Sequence, residues 1–229
     1  NKNYTPASII NDAPKVFKEN TVSGAWRPKN YGGKFFGPTR LRYGLAKSRN
    51  MVSIRLLDSI GINYTLDFVK NFGISADKLP KDLTLALGSG EITPLKLSES
   101  YAYFANGGYG IKPYLIEQVR KRDNEIVYVE NPIRVCSNPC DYVSMDTLQF
   151  PSAESVEEIS ELRKKAGLPR FANQSIYPIN IYQMVSMMKD VVKYGTAKKA
   201  KVLKRSDIAG KTGTTNDQKD AWFSGFNNE

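Results

Sequence analysis

The stretch Ile208-Ala209-Gly210-Lys211-Thr212-Gly213-Thr214-Thr215, followed across Asn216-Asp217-Gln218 by Ala221-Trp222-Phe223-Ser224-Gly225-Phe226, decides the fold class. β-Branched and aromatic residues on either side of a polar turn predict two antiparallel strands. Gly213 lets a substrate backbone come close to an exposed strand edge. The hydroxyls of Thr212 and Thr214 can hold a carboxylate, and Lys211 adds positive charge beside them. Those parts suit an acyl-peptide with a free carboxyl terminus. Taken alone, Lys211-Thr212-Gly213 is a weak signal, because a lysine beside glycine on a strand is usually structural or solvated.

Upstream of this hairpin the pattern is helical. Asn180-x-x-Gln183 gives a capping-box signal ahead of Met184, Val185, Met188, Val191 and Val192, whose spacing places them on one helix face. A methionine-rich stripe of this kind reads as core. Leu41, Leu45 and Ala46 predict an earlier helix with Thr39 as N-cap, and Met51, Ile54, Leu56 and Leu57 predict another that stops at Gly61. Ser48-Arg49-Asn50 therefore falls at the joint between two helices. Tyr64 to Asn71 reads as a short helix, and Thr93-Pro94 opens one that stops at Asn106-Gly107-Gly108. Tyr114–Val119 and Glu125–Val129 flank Asp123-Asn124 as a hairpin. Asn1 to Phe36 reads as irregular covering structure with a strand-like piece at Ser8-Ile9-Ile10. Residues 131–178 are loop-rich around an amphipathic helix, roughly Ser155 to Lys165, and read as an insertion in the main domain.

The chain has 229 residues, 41% hydrophobic and 11% aromatic, enough for one sizeable domain with a buried core. No apolar run approaches the roughly 18 residues that a spanning helix needs, and the first residues lack a signal-peptide pattern. The formal charge of +10 favours anionic partners without choosing among them. Five of the eight residues Lys198 to Arg205 are basic, and Arg163, Lys164 and Lys165 form a second cluster. Neither is interleaved with aromatics as a base-stacking surface would be, so both read as solvated faces and nucleic acid is not an expected partner.

With no histidine and two cysteines, a zinc site of Cys and His ligands cannot be completed, and no metal is expected. Cys136-Ser137-Asn138-Pro139-Cys140 suits a small disulfide loop in an oxidising compartment, because Asn-Pro can turn the chain back on itself. Two free, inert thiols are the alternative.

Ser48-x-Asn50 is weak as a string, since Ser and Asn often meet at helix ends as caps. Its value comes from occurring in order with Lys-Thr-Gly, because acyl-transferring penicillin-binding proteins carry both elements together with Ser-x-x-Lys. Six ordered segments extend the match over essentially the whole chain: Thr5-Pro6-Ala7-Ser8-Ile9-Ile10-Asn11-Asp12-Ala13-Pro14, Trp26-Arg27-Pro28-Lys29-Asn30-Tyr31, Leu45-Ala46-Lys47-Ser48-Arg49-Asn50, Ala86-Leu87-Gly88-Ser89-Gly90-Glu91-Ile92-Thr93-Pro94, Tyr103-Phe104-Ala105-Asn106-Gly107-Gly108 and Ala209-Gly210-Lys211-Thr212-Gly213-Thr214-Thr215. In these the chain resembles the transpeptidase domain of class A bacterial penicillin-binding proteins.

The resemblance implies an α/β (α+β) fold of the penicillin-binding and serine β-lactamase type, a helical subdomain with an antiparallel sheet. It implies a D,D-transpeptidase that cross-links peptidoglycan stem peptides through an acyl-enzyme, is acylated by β-lactams and needs no cofactor. Ser48 would relay protons to and from the nucleophile and leaving group, and Asn50 would hydrogen-bond the amide of the bound acyl chain. Lys211 would support the electrostatics around Ser48, while Thr212 and Thr214 grip the carboxylate of the donor. The backbone N–H of Thr214 would be half of the oxyanion hole. Expected partners are stem peptides, glycan strands and β-lactams, at the periplasmic face of the inner membrane, with membrane attachment only through an N-terminal anchor outside this chain.

One departure stands out. In the family the Ser-x-x-Lys nucleophile helix lies upstream of the position matching Thr5-Pro6, so residues 1–229 are expected to be a partial domain, with neighbouring strands also outside it. Ser75-x-x-Lys78 and Ser186-x-x-Lys189 match the string, but Ser75 falls in a turn and Ser186 lies beside core methionines, so neither is expected to attack. This chain alone is expected to be inactive. The alternatives are a D,D-carboxypeptidase or β-lactamase-like hydrolase on the same fold, and a basic polymer-binding module without chemistry.

Overall fold

The structure is a computed structural model that describes residues 3–18, 25–135, 156–215 and 219–227. It is a mixed α/β assembly of helices and short, mostly antiparallel strand pairs. β1 (Ile9–Asp12) pairs with β4 (Gly37–Arg40), and the small β2 (Phe17–Lys18) pairs with β3 (Ala25–Trp26). The first segment is thus more ordered than its Pro, Gly and Asn content predicts, because its strands are completed by pairing distant in sequence. α1 (Leu41–Ala46) leaves β4 directly. Its N-cap is Arg40 and not Thr39, whose hydroxyl donates to the Gly37 carbonyl at 2.9 Å within the strand.

α2 (Asn50–Ile60) follows after three residues and stops at Gly61, which takes a φ of +93° that favours glycine. α3 (Ile62–Val69) starts at once, two residues before the predicted Tyr64. α4 (Pro94–Ala105) is capped by the Thr93 hydroxyl, which accepts from the Lys96 N–H, with Pro94 in the first turn. β5 (Gln118–Arg120) and β6 (Ile126–Val129) form the hairpin read around Asp123-Asn124, with its first strand starting at Gln118 and not at Tyr114. β7 (Ile133–Arg134) pairs in parallel with β8 (Arg170–Phe171), and α5 (Val156–Lys165) lies between them in sequence.

α6 (Pro178–Lys193) begins ahead of the Asn180 capping signal, because Pro178 after Tyr177 supplies a first-turn residue with its φ already suited to a helix. Its Met188, Val191 and Val192 are buried, as the apolar stripe predicts. β9 (Ala209–Thr214) and β10 (Ala221–Phe226) form the antiparallel pair read from the sequence, with Lys211 opposite Ser224 and Gly213 opposite Trp222.

Three apolar clusters hold these pieces. Met51, Ile54 and Leu57 of α2 pack with Phe17 and Leu83, Tyr103 of α4 packs with Ile176 and Ile181, and Val191 and Val192 pack with Ala197. Met51 and Ile54 are fully buried, so truncating Ile54 to alanine would cost about 2–5 kcal/mol. The α1 and α6 ends meet at Gly195, where a Cβ would lie 2.3 Å from the Ala46 carbonyl oxygen. That close approach sets the Ser48 joint against β9.

Candidate active site

Ser48 sits in the joint between α1 and α2 with a φ of +52°, in the left-handed region. For a residue with a Cβ this costs on the order of 1–3 kcal/mol and persists only where surroundings impose it. Here they do. The Ser48 N–H donates to the Leu45 carbonyl at 3.0 Å and the Arg49 N–H to Gly44 at 2.8 Å, closing the end of α1. Lys47 Nζ donates to the Tyr194 carbonyl at 2.6 Å, and the Thr196 N–H to Ala46 at 3.0 Å, tying the joint to the end of α6.

Across the joint, Lys211 Nζ donates to Ser48 Oγ at 2.9 Å and to the Thr212 carbonyl at 2.7 Å, although the two residues are 163 positions apart. Burial pushes the Lys211 pKa below its ordinary 10.5, because the ammonium is disfavoured away from water. A desolvated lysine one hydrogen bond from a hydroxyl can stabilise charge on that oxygen and pass protons through it.

The Thr212 hydroxyl shares a 2.6 Å hydrogen bond with the hydroxyl of Thr196. Gly213 and Thr214 are exposed at the outer part of β9, and a Cβ at Gly213 would meet no atom within 4 Å. Open space beside a strand edge is what a peptide backbone needs to lie alongside it. Asn50 Nδ2 donates to the Lys29 carbonyl at 2.9 Å. A cavity of about 400 Å³ lies between α4 and β10, lined by Leu97, Tyr101, Trp222, Phe223 and Ser224. Lys211 and Ser48 do not line it, but Ser224 is the cross-strand partner of Lys211.

The sequence reading missed Thr196, Asn30 and the Arg42–Asp190 pair. Their only signals were a threonine past a helix end, an asparagine in a Pro-rich loop and two charges on separate helices, none of which marks a site without the fold.

The two serines of the Ser-x-x-Lys strings are engaged in other hydrogen bonds. Ser75 caps a 3-10 turn, with its Oγ accepting from the Asp77 N–H, and Ser186 Oγ accepts from Arg42 Nη2 at 3.0 Å. Cys136 and Cys140 lie outside the described residues. Among the described residues no group of three or more His, Cys, Asp or Glu is arranged to hold a metal, and no helix is long and apolar enough to cross a membrane. Lys198, Lys199, Lys201 and Lys204 are exposed around a 3-10 turn.

Residues 1–228 match a family described as the penicillin binding protein transpeptidase domain. Penicillin-binding protein 1A of Pseudomonas aeruginosa is 41% identical over 99% of the chain and 29% of its own length. Penicillin-binding protein 1A of Neisseria meningitidis is 40% identical over 99% of the chain and 24% of its own length. The chain thus spans less than a third of these relatives. Among solved structures, penicillin-binding protein 1A from Haemophilus influenzae superposes with a TM-score of 0.82 at 31% identity, over 98% of the chain and 33% of that protein. An imipenem acyl-enzyme complex of penicillin-binding protein A from M. tuberculosis gives 0.65 at 17% identity, over 99% of the chain and 47% of that protein, a likeness of fold.

Proposed function

The chain belongs to the penicillin-binding protein transpeptidase domain family, and from that membership we propose that it supplies the proton-relay and donor-binding half of a peptidoglycan D,D-transpeptidase site. The observation that carries this is the 2.9 Å bond from Lys211 Nζ to Ser48 Oγ, which brings two otherwise weak motifs into one place. Ser48 relays the proton between the nucleophile and the leaving amine, with Lys211 setting its electrostatics. Thr212 and Thr214 bind the donor carboxylate, Gly213 leaves room for its backbone, and Asn50 turns from Lys29 to the acyl amide. The oxyanion that develops in the tetrahedral state is met by the Thr214 backbone N–H.

The attacking oxygen comes from a Ser-x-x-Lys element outside these 229 residues. Ser75 and Ser186 are engaged elsewhere, which supports that assignment. The partners are stem peptides with their glycan strands, and β-lactams, which mimic the donor. The working compartment is the periplasmic face of the inner membrane, an oxidising compartment that suits the candidate disulfide of Cys136 and Cys140. Residues 131–178 are an insertion on this domain. Its ends are joined locally, with Asn131 Nδ2 donating to the Leu168 carbonyl at 2.8 Å and Arg170 Nη1 to the Asn131 carbonyl at 3.1 Å.

A labelled penicillin tests the reading. The 229-residue chain is expected to take no covalent label, and a protein extended upstream to include Ser-x-x-Lys is expected to take one label on that serine. Label mapped to Ser75 or Ser186 in the short chain would overturn it. Thiol titration of freshly exported protein, denatured without reductant, should find no free thiol.

A further inference from the structure

We propose that Asn30, anchored by the buried carboxylate of Asp12, is a positioning residue for the Ser48–Asn50 joint, a role that rests on the site reading above. The inference starts from a gap at the start of α2. Its N-cap residue, Arg49, makes no side-chain cap hydrogen bond, so the helix does not satisfy its own first N–H groups by the usual local means. Asn30, twenty-one positions away, supplies the acceptor: the Met51 N–H donates to Asn30 Oδ1 at 3.2 Å.

The orientation of Asn30 is imposed from behind. Its Nδ2 donates to Asp12 Oδ1 at 2.6 Å and to the Lys34 carbonyl at 2.9 Å. Both partners only accept there, so the amide nitrogen must face them and the amide oxygen must face α2. The neighbouring Lys29 carbonyl meanwhile accepts from Asn50 Nδ2 at 2.9 Å. One loop therefore holds the start of α2, two residues past the strained Ser48, through the Met51 N–H and, until Asn50 turns to the acyl amide, through the Asn50 side chain as well.

Asp12 is the costly part of this arrangement. It is 0% exposed, Asn30 is 4% exposed, and Asp12 Oδ2 has no hydrogen-bond partner among the described residues. A buried carboxylate with one oxygen unpartnered is a poor way to gain stability, and such a group calls for another explanation. Fixing the direction of Asn30, and with it the origin of the helix that carries Asn50, is an explanation the geometry provides. A displacement of about 1 Å in a positioned group is enough to slow chemistry by about 10²-fold.

The test uses the extended protein, with labelled penicillin and acylation rates measured over a range of concentrations. Asn30→Ala is expected to lower the limiting acylation rate at least about tenfold, as a positioning loss should. Leu57→Ala, further along α2 in the core, is the control for general loosening, and assayed well below its unfolding midpoint it should stay within about twofold of the parent. Asn30→Asp alone sets two carboxylates against each other and should be slow. Adding Asp12→Asn restores a donor between positions 12 and 30 and leaves a carboxylate oxygen for the Met51 N–H, but still sets that carboxylate against the Lys34 carbonyl, so the double variant should be faster than Asn30→Asp while staying slower than the parent.

The proposal is overturned if folded Asn30→Ala acylates no more slowly than the Leu57→Ala control, or if the double exchange is no faster than Asn30→Asp. Should Asn30→Ala not fold, the single and double exchanges decide alone. Ser48→Ala and Lys211→Ala separate the two levels of the argument. If they abolish acylation and the Asn30 variants do not slow it, only the positioning role falls. If they too acylate normally, the site reading itself falls.

Discussion

Two serines in this molecule are each hydrogen-bonded to a basic side chain, and they differ in what that side chain is doing. Ser186, within α6, accepts from Arg42 Nη2, while Nη1 of the same arginine makes a 2.6 Å ion pair with Asp190, which also accepts from the Tyr194 hydroxyl at 2.9 Å. The Arg42 charge is already neutralised, and Ser186 is one more ligand in a structural cluster. Burial, and then the bond to Asp190, raise the Tyr194 pKa to about 12, so its hydroxyl keeps its proton. Ser48, in contrast, lies on a left-handed backbone and receives its bond from Lys211, whose pKa burial lowers. Reactivity follows from an unsettled charge beside the hydroxyl, and the Ser-x-x-Lys spacing by itself does not create one.

The sharpest way to break that contrast is to remove each side of the Ser48–Lys211 bond in the extended protein. Ser48→Ala and Lys211→Ala are each expected to reduce the second-order rate of β-lactam acylation by at least about 10²-fold. If the two groups act on one proton, the double variant should be little slower than either single one. Additive losses would show that the 2.9 Å bond is incidental to the chemistry.

A smaller effect concerns pH. Since burial lowers the Lys211 pKa, the folded protein gives up this proton below pH 10.5, where an unfolded chain still holds it. Between the lowered value and 10.5 the unfolded state binds more protons, so the Lys211 contribution to stability rises with pH across that window. The desolvation cost of the ammonium is fully present below the window. If the ammonium is the working form, acylation should decline as pH rises through the lowered value. Lys211→Arg keeps the charge at every accessible pH, so its residual activity should lose that alkaline limb. A limb that stays in place would assign the titration to another group.

The contrast also explains what could be read without a fold. The strands β9 and β10, and the joint that carries Ser48, are legible because each is a short run whose residue types have local consequences. The stop at Gly61 and the Thr93-Pro94 start were legible for the same reason. Thr196 was not, because it reaches Thr212 only after Gly195 lets the end of α6 settle on Ala46. Asn30 and Asp12 stand out in no sequence pattern, since an asparagine capping a helix from a distant loop has no sequence signature. Thr39 was misread as a cap because a strand runs directly into α1, and the hydroxyl bonds back within that strand. Local chemistry was visible, and contacts made by packing were not.

Thr196 offers an intermediate test of the Ser48 side. Its hydroxyl holds that of Thr212 at 2.6 Å, so if Thr212 binds the donor carboxylate, Thr196→Val should leave it free to turn away. The expected loss in acylation efficiency is about three- to tenfold, the scale of one neutral hydrogen bond. It should appear mainly as weaker β-lactam binding, measured from the concentration dependence of the acylation rate. A fall in the limiting rate with unchanged binding would instead place Thr196 in the proton path.

The smallest effect on chemistry belongs to Ser186. If its hydroxyl only completes the Arg42–Asp190 cluster, Ser186→Ala should change acylation by less than about twofold, and Ser75→Ala likewise. Stability should tell the two serines apart. Ser186 is half-buried and its loss removes a bond to a charged guanidinium, which predicts a cost of about 1 kcal/mol. Arg42 keeps its 2.6 Å contact with Asp190, so the charge is not orphaned and the cost should not reach that of breaking the pair. Ser75 is exposed at the edge of a 3-10 turn, and its replacement should fall within about 0.5 kcal/mol of the parent. Denaturant midpoints measured beside acylation rates separate these outcomes. A Ser186→Ala protein of unchanged stability that acylates far more slowly would remove the distinction between the two serines, because a hydroxyl that only supports packing cannot slow the chemistry without loosening the fold.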